Sequence, residues 1–453
     1  MRVIYLKLCY EPKWEIEDKR VEKLDKKRVK LNRYYSLIEL ELFQNPNVCP
    51  SLETISQRRA LIKSMETSMG RIEASPTKLK GFDELVFEDI KETVKKARAD
   101  DSYFHNPHRN LTLGQLLTAL FGRSAYTRIL SMARSENLDH KALHDYYNVL
   151  HDMWTSAVDS SVILNGESFK DLRKKLIEHV KKYRASVDTF YRSLKILSQS
   201  IDYKVEVDHS GADFSCWDNC NKLMVLDPDR IPSFKTKEGY TTHTSTGLVI
   251  TIHEFGHGLQ HAISKICMPE GLHYDDITFS RISHGTVCEG TALFAEDLGL
   301  QWMRANRGKI NLEENELRIA EISRAAYVSD KIIEVAHGLL EMENSNSNAP
   351  AHWKMEVHKK LAEITGLKVV LKDNNRFGEP SFDDILLHLS YIMGERRIRK
   401  TADRVRKEIG YKNSHGKGLL LQSLMTGAWT SPKCQERFIL EHLIPRARHD
   451  DYL

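Results

Sequence analysis

Long apolar runs are missing from this chain, and so is a dense set of cysteines. No stretch approaches the ~20 uninterrupted apolar residues that cross a bilayer, which excludes a helical integral membrane protein and leaves no membrane partner to expect. The seven cysteines (Cys9, Cys49, Cys216, Cys220, Cys267, Cys288 and Cys434) are odd in number and scattered through 453 residues. That spacing excludes a small disulfide-stapled scaffold, and reduced thiols are the expectation. Charge of one sign is missing too: 67 Lys and Arg stand against 63 Asp and Glu, a net of +4. A nucleic-acid binder would carry a lopsided basic domain, so no nucleic-acid partner is expected. The amino terminus, MRVIYLKLCYEPKW, is interrupted by Lys7 and has no small-residue cleavage site. With neither export nor membrane signal, a cytoplasmic location is the expectation.

What is present is a chain with 41% hydrophobic residues, enough for a sizeable core. Apolar periodicity predicts helices over 14–42, 52–74, 82–99, 112–136, 139–160 and 168–199, and again over 312–343, 351–365 and 382–409. The first reads as an exposed amphipathic helix, with Ile16, Val21, Leu24, Val29, Leu31 and Ile38 set among many charges. The 168–199 segment repeats apolar residues in steps of three and four, as a long bundle helix does. Past residue 200, the segments 203–207 and 222–226 read as strands of a small two- or three-stranded sheet. The expected fold class is mainly α with a small sheet or hairpin. Residues 1–200 form a helical region and 201–453 hold the sheet and the motifs below, together one continuous folding unit. Oligomeric state stays open.

The chemistry is concentrated in Thr251 to His261, TIHEFGHGLQH. Positions i and i+4 share one helix face, so His253 and His257 can offer imidazole nitrogens to a single ion. Catalytic zinc takes three protein ligands and keeps a fourth position for water. The helix supplies two, and the third must come from elsewhere. Glu254, beside the first ligand, suits a general base. Apolar runs on both sides of the motif place it inside a buried helix that ends near Pro269. Glu289, 32 residues past His257, lies in CEGTALFAED on a second helix predicted over 284–305, and is the candidate third ligand. His284 and Glu296 are its rivals. Glu296 or Asp297 could instead accept the second ring N–H of a ligand histidine. Gly256, Gly258 and Gly290 each cost about 1 kcal/mol in a helix interior relative to alanine. Glycines so placed mark close backbone approach, which would let a glutamate on the second helix reach the ion.

A helix-borne HExxH followed by a glutamate on a later helix resembles the plan of the gluzincin metallopeptidases. HEFGHGLQH is similar to the box of the thimet oligopeptidase and oligoendopeptidase group. EGTALFAEDLG resembles instead the EGWALYAE box of a family of bacterial zinc-peptidase-like proteins. That family's downstream signature is similar to the run Ser390 to Arg399, SYIMGERRIR. The likeness spans roughly residues 240 to 445 with its boxes in order. Two departures stand out within the boxes: HExxH is compact where the second family reads HExxPGHH, and Thr291 replaces the tryptophan of EGW. The resemblance implies a zincin-like fold with a deep cleft roofed by residues 1–200, and one Zn2+ per chain held by His253, His257 and Glu289. It further implies Glu254 as the catalytic base, a peptide substrate, and Tyr391, three residues before Gly394, as the oxyanion donor. A sheet edge near the zinc would hold the substrate backbone by strand addition.

Other residues carry less. His388, one turn before Tyr391, could assist it or simply sit on the helix surface. Arg396 and Arg397 could bind a substrate carboxylate, though solvated salt bridges describe them as well. Cys216 with Cys220, and His105 with His108, lack further ligands nearby in sequence. Two other classes of protein fit the same motif: a helical binding scaffold descended from a peptidase, and a zinc hydrolase of a non-peptide amide.

Overall fold

The computed structural model describes residues 15–44, 52–104, 111–122, 124–156, 166–194, 196, 204–207, 216–218, 223–226, 233–236, 239–242, 244–267, 285–345, 353–367, 382–409 and 414–445. His105, His108, Cys220 and His284 lie outside them, as does Pro269. The fold is mainly helical. Helices α1 (Lys19–Gln44), α2 (Leu52–Glu73) and α3 (Gly81–Phe104) pack on one another. The exposed helix expected at the start is a core element instead. Val21, Leu24, Leu31 and Tyr35 are buried, and so is Arg28, whose guanidinium lies 2.6 Å from Asp25 and also pairs with Asp89 of α3. Two of the charges that made the segment read as solvated, Asp25 and Arg28, neutralise one another inside, while the lysines stay on the outer side.

The single helix expected over 112–136 is two, α4 (Leu113–Phe121) and α5 (Ala125–Met132). Thr112 and Gln115 form a capping box at the start of α4. The chain then turns at Gly122 (φ 96°) and Ser124 (φ 61°), left-handed conformations that no helix continues through. The apolar period survives the break, which is why the sequence pattern does not reveal it. Next come α6 (His140–Ser156) and α7 (Gly166–Ser193).

Five short strands follow: β1 (Lys204–Val207), β2 (Cys216–Asp218), β3 (Leu223–Leu226), β4 (Ser233–Thr236) and β5 (Gly239–Thr242). Central β3 pairs in parallel with β1 and antiparallel with β2, while β4 and β5 form an antiparallel pair. β5 ends two residues before α8 (Thr244–Cys267), and β2 contacts α8. Then come α9 (Gly285–Ala305), α10 (Glu314–Ser345), α11 (Trp353–Thr365), α12 (Phe382–Ile409), α13 (Ser414–Thr426) and α14 (Pro432–Arg437), which runs into a π-helical turn at Phe438–Leu443.

Two hydrophobic clusters hold these helices. One joins α1 to α3, α7, α8 and α9 with the C-terminal helices around Trp429 and Phe438. The other joins the end of α3 and α4 to α6 with α10, α11 and the start of α12. Both draw residues from either side of residue 200. Two helices cross between them: α10 leaves the first cluster after Ala320 and enters the second at Ala326, and α12 passes the other way between Met393 and Ile398. Among the described residues no helix is long and apolar enough to cross a membrane.

Candidate metal centre

Leu248, Ile252, Phe255, Leu259 and Ile263 recur every three or four residues along α8 and are all buried. Their burial fixes the helix rotation, so His253 and His257 fall together on the side facing α9. Gly256 lets α9 come close: a Cβ there would stand 3.8 Å from the Ala292 Cα and 3.3 Å from the Tyr191 hydroxyl. The Gln260 side-chain amide donates to the Cys288 carbonyl at 2.9 Å, which sets the two helices in register. Glu289, the next residue, then meets both histidines.

His253 Nε2 and His257 Nε2 are 3.0 Å apart, and Glu289 Oε2 lies 3.1 Å from the first and 3.3 Å from the second. Ligands at zinc's usual 2.0–2.2 Å in a tetrahedron stand about 3.4 Å from one another. The triangle is therefore nearly the right size before any ion is considered. Its chemistry agrees. Glu296 Oε1 stands 2.6 Å from His253 Nδ1, the arrangement that fixes a ligand histidine with its Nε2 lone pair directed outward. Two imidazoles and a carboxylate so gathered are a donor set able to hold a metal ion. His284, the rival ligand, lies outside the described residues, and Glu296 is the outer partner of His253.

Gly290, expected to ease the approach of α8, serves α12 instead. A Cβ on Gly290 would stand 2.4 Å from the Gly394 carbonyl group, and one on Gly394 would stand 2.2 Å from the Thr286 carbonyl oxygen. Backbone thus meets backbone, with no room for a side chain on either helix. This contact brings Tyr391, one turn earlier on α12, to the site: its ring centroid is 5.8 Å from that of His253.

The electrostatics are those of a buried, crowded site. Burial opposes a charged His253, yet hydrogen bonds to Glu289 and Glu296 lift its pKa well above the usual histidine range. Burial alone would raise the Glu289 pKa, but the His257 charge and hydrogen bonds from both histidines hold the carboxylate well below its ordinary value. For Glu254, 6% exposed, burial dominates and pushes the pKa up to about 7 against the pull of His253 and His257. Burial and the nearby Glu289 charge keep the Tyr391 phenol protonated.

Behind His253 stands a chain of ion pairs absent from the sequence reading. Glu296 Oε2 is 2.7 Å from Arg324 Nε, and Arg324 also reaches Asp297 at 3.2 Å and Glu395 at 3.0 Å. Arg399 pairs with Asp297 and Glu395. Asp297 is thus committed to arginines and leaves the histidine to Glu296. A cavity of about 910 Å³ opens on the far side of this chain, lined by Arg324, Glu395, Arg396 and Arg399 among others. Arg396 is exposed there, and Arg397 pairs with Glu436 at 3.6 Å. His388 Nδ1 lies 3.2 Å from Glu334. Tyr327 of α10, whose ring centroid is 5.9 Å from that of Tyr391, also escaped the sequence reading. Neither Tyr327 nor Arg324 belongs to a motif, and only their three-residue separation hints at a shared helix side.

No family model matches the chain, and no curated protein matches it. Among solved structures it is similar to one described as "putative lipoprotein from Colwellia psychrerythraea", at 13% identity and a TM-score of 0.42. The match covers 90% of this chain and 66% of that one, so the chain spans a little under two thirds of that protein. A likeness of this size establishes neither a shared fold nor a shared activity.

Proposed function

We propose that this chain is a zinc-dependent peptidase acting on short peptides. The observation that carries the reading is the triangle of His253, His257 and Glu289, 3.0 to 3.3 Å on a side, with Glu254 next to the first ligand on the same helix. His253 and Glu289 come from different helices, so their meeting is a product of folding rather than of sequence proximity.

His253, His257 and Glu289 would hold the ion, and Glu296 orients His253. Zinc, when bound, supplies a Lewis acid that polarises a carbonyl and brings the pKa of a coordinated water to about 7. Glu254 removes the proton of the attacking water and returns it to the leaving nitrogen. Burial disfavours the charged form of Glu254 and so favours uptake of the water's proton. Tyr391, protonated, donates to the oxygen that gains charge during attack. The edge strands β1 and β2 of the small sheet, of which β2 contacts α8, are where an extended peptide backbone would add. Together these elements make the zincin-like cleft of the proposal.

The test is metal content by elemental mass spectrometry, followed by a screen of short peptides against N-acyl amino acids. One zinc per chain in the wild type, lost in Glu289→Ala, supports the centre. Peptide cleavage that drops about 10²- to 10⁴-fold in metal-loaded Glu254→Gln supports the base. Full activity in that variant would sink the mechanism, and a zinc-loaded protein that cuts no peptide would be a binding scaffold or an amidase of another class.

A further inference from the structure

Lys331 follows Tyr327 by four residues, one turn farther along the same side of α10. The two extend the wall of the metal centre outward in steps. The Tyr391 ring is 5.8 Å from the His253 ring, the Tyr327 ring 5.9 Å from that of Tyr391, and Lys331 Nζ 5.7 Å from the Tyr327 centroid. The lysine is largely enclosed, its side chain 11% exposed. An ammonium carries three donors. One goes to Glu334 Oε2 at 2.6 Å, and among the described residues the other two meet no acceptor. The Tyr327 hydroxyl likewise meets none among the described residues.

Glu334 is differently placed. It accepts from Lys331 and lies 3.2 Å from His388 Nδ1, so its charge is already shared between two protein groups. What stands unused beside the metal centre is therefore a cation and a hydroxyl donor rather than an anion. Donors that no protein acceptor takes are open to a ligand, and the chemistry that meets an ammonium and a phenol together is a carboxylate.

We propose that Lys331 and Tyr327 form a carboxylate subsite beside the metal centre. It selects peptides whose own carboxylate, at a free C-terminus or on an acidic side chain, lies a few residues from the metal. The substrate assignment rests on the peptidase reading, but the subsite itself is read by binding alone. Lys331 recognises charge and Tyr327 supplies the second hydrogen bond; Glu334 holds the ammonium in place.

The experiment is isothermal titration of the full-length Glu254→Gln protein, with and without zinc, so that turnover does not enter. Three probes are compared: acetyl-trialanine acid, its C-terminal amide, and acetyl-Ala-Ala-Glu amide. The acid binds at least tenfold more tightly than its amide, Lys331→Met abolishes the difference, and Lys331→Arg retains most of it. Should Lys331→Met fail to fold, Lys331→Gln, which can still donate to Glu334, gives the same readout. A glutamyl amide that binds as well as the acid assigns the subsite to acidic side chains, and one that binds like the plain amide assigns it to the C-terminus. Equal affinity for all three probes, or a preference that survives removal of the Lys331 charge, overturns the proposal. A wild type that cuts no peptide while the preference persists refutes the peptidase reading and leaves the carboxylate subsite standing.

Discussion

Glu296 touches no candidate substrate position, yet its 2.6 Å contact to His253 makes it the residue whose loss separates metal affinity from metal chemistry. Outer-shell carboxylates of this kind typically contribute 10- to 100-fold to metal affinity. Glu296→Gln keeps the shape and weakens the acceptor, so its zinc dissociation constant rises by that factor while saturating zinc still fills the site. A competition titration against a chromogenic chelator reads this directly, and an unchanged constant would remove Glu296 from the centre. His337, far along α10, gives a second prediction at this scale. Burial, and then the neighbouring His358 ring 5.0 Å away, hold its pKa down to about 4, with Glu341 3.6 Å from Nε2. A histidine whose folded pKa lies below its unfolded value stabilises the protein above about pH 6.5 and loses that contribution as pH falls through 4. Wild type therefore loses up to about 2 kcal/mol more than His337→Phe between pH 7 and pH 4.5. Urea midpoints at the two pH values measure the difference; parallel losses in both proteins would assign the acid sensitivity elsewhere.

At the scale of elements, the centre depends on two helix contacts of different kinds. α8 and α9 meet through Gly256 and the Gln260 side chain, whereas α9 and α12 meet backbone to backbone at Gly290 and Gly394. Gly394→Ala drives a methyl into the Thr286 carbonyl, and neither backbone can turn aside. Overpacking of this sort costs about 1–3 kcal/mol, occasionally more. Because the strain lies between α9 and α12, Tyr391 moves away from His253 while the histidine pair on α8 stays intact. The variant should melt earlier and lose peptidase rate more than it loses zinc, which melting curves and metal analysis distinguish; an unchanged melting point would show the contact to be looser than the structure has it. The sequence made part of this legible. HExxH spacing and the CEGTALFAED segment are local patterns, so the α8 and α9 side chains could be named from them. Tyr391 came through its neighbour Gly394, whose partner across the contact is Gly290. Arg324, Tyr327 and Lys331 were hidden because α10 carries them at ordinary helical spacing with no motif. The break at Gly122 to Ser124 was hidden by an apolar period that runs across it, and the burial of α1 by ion pairs that resemble solvated charge.

Across the whole molecule, the proposed metal centre lies where the two hydrophobic clusters meet. The proposed ligands ride on α8 and α9, which belong to the first cluster, while Tyr391 sits on the part of α12 that belongs to the second. The crossing points of α10 and α12 are joined by the buried pair Arg324 and Glu395, 3.0 Å apart, and the same arginine reaches Glu296 behind His253. A cation bound at the centre thus fixes α8 to α9 directly and, through Glu296 and Arg324, the junction between clusters. Binding to the folded state alone stabilises by RT ln(1 + [L]/Kd), about 2.7 kcal/mol at a hundredfold excess over Kd. Zinc should therefore raise the melting temperature of the wild type, and a chelator should lower it. Glu289→Ala should melt at one temperature in both conditions. Arg324→Met, which takes the guanidinium from buried Glu296 and leaves Glu395 to Arg399 alone, should lose about 3–5 kcal/mol yet still respond to zinc. If the centre acted only within the first cluster, zinc would protect amides of α8 and α9 alone from hydrogen exchange. Protection that extends to the middle of α10 and α12, and that Arg324→Met confines again to α8 and α9, is the outcome expected of a centre coupled to both.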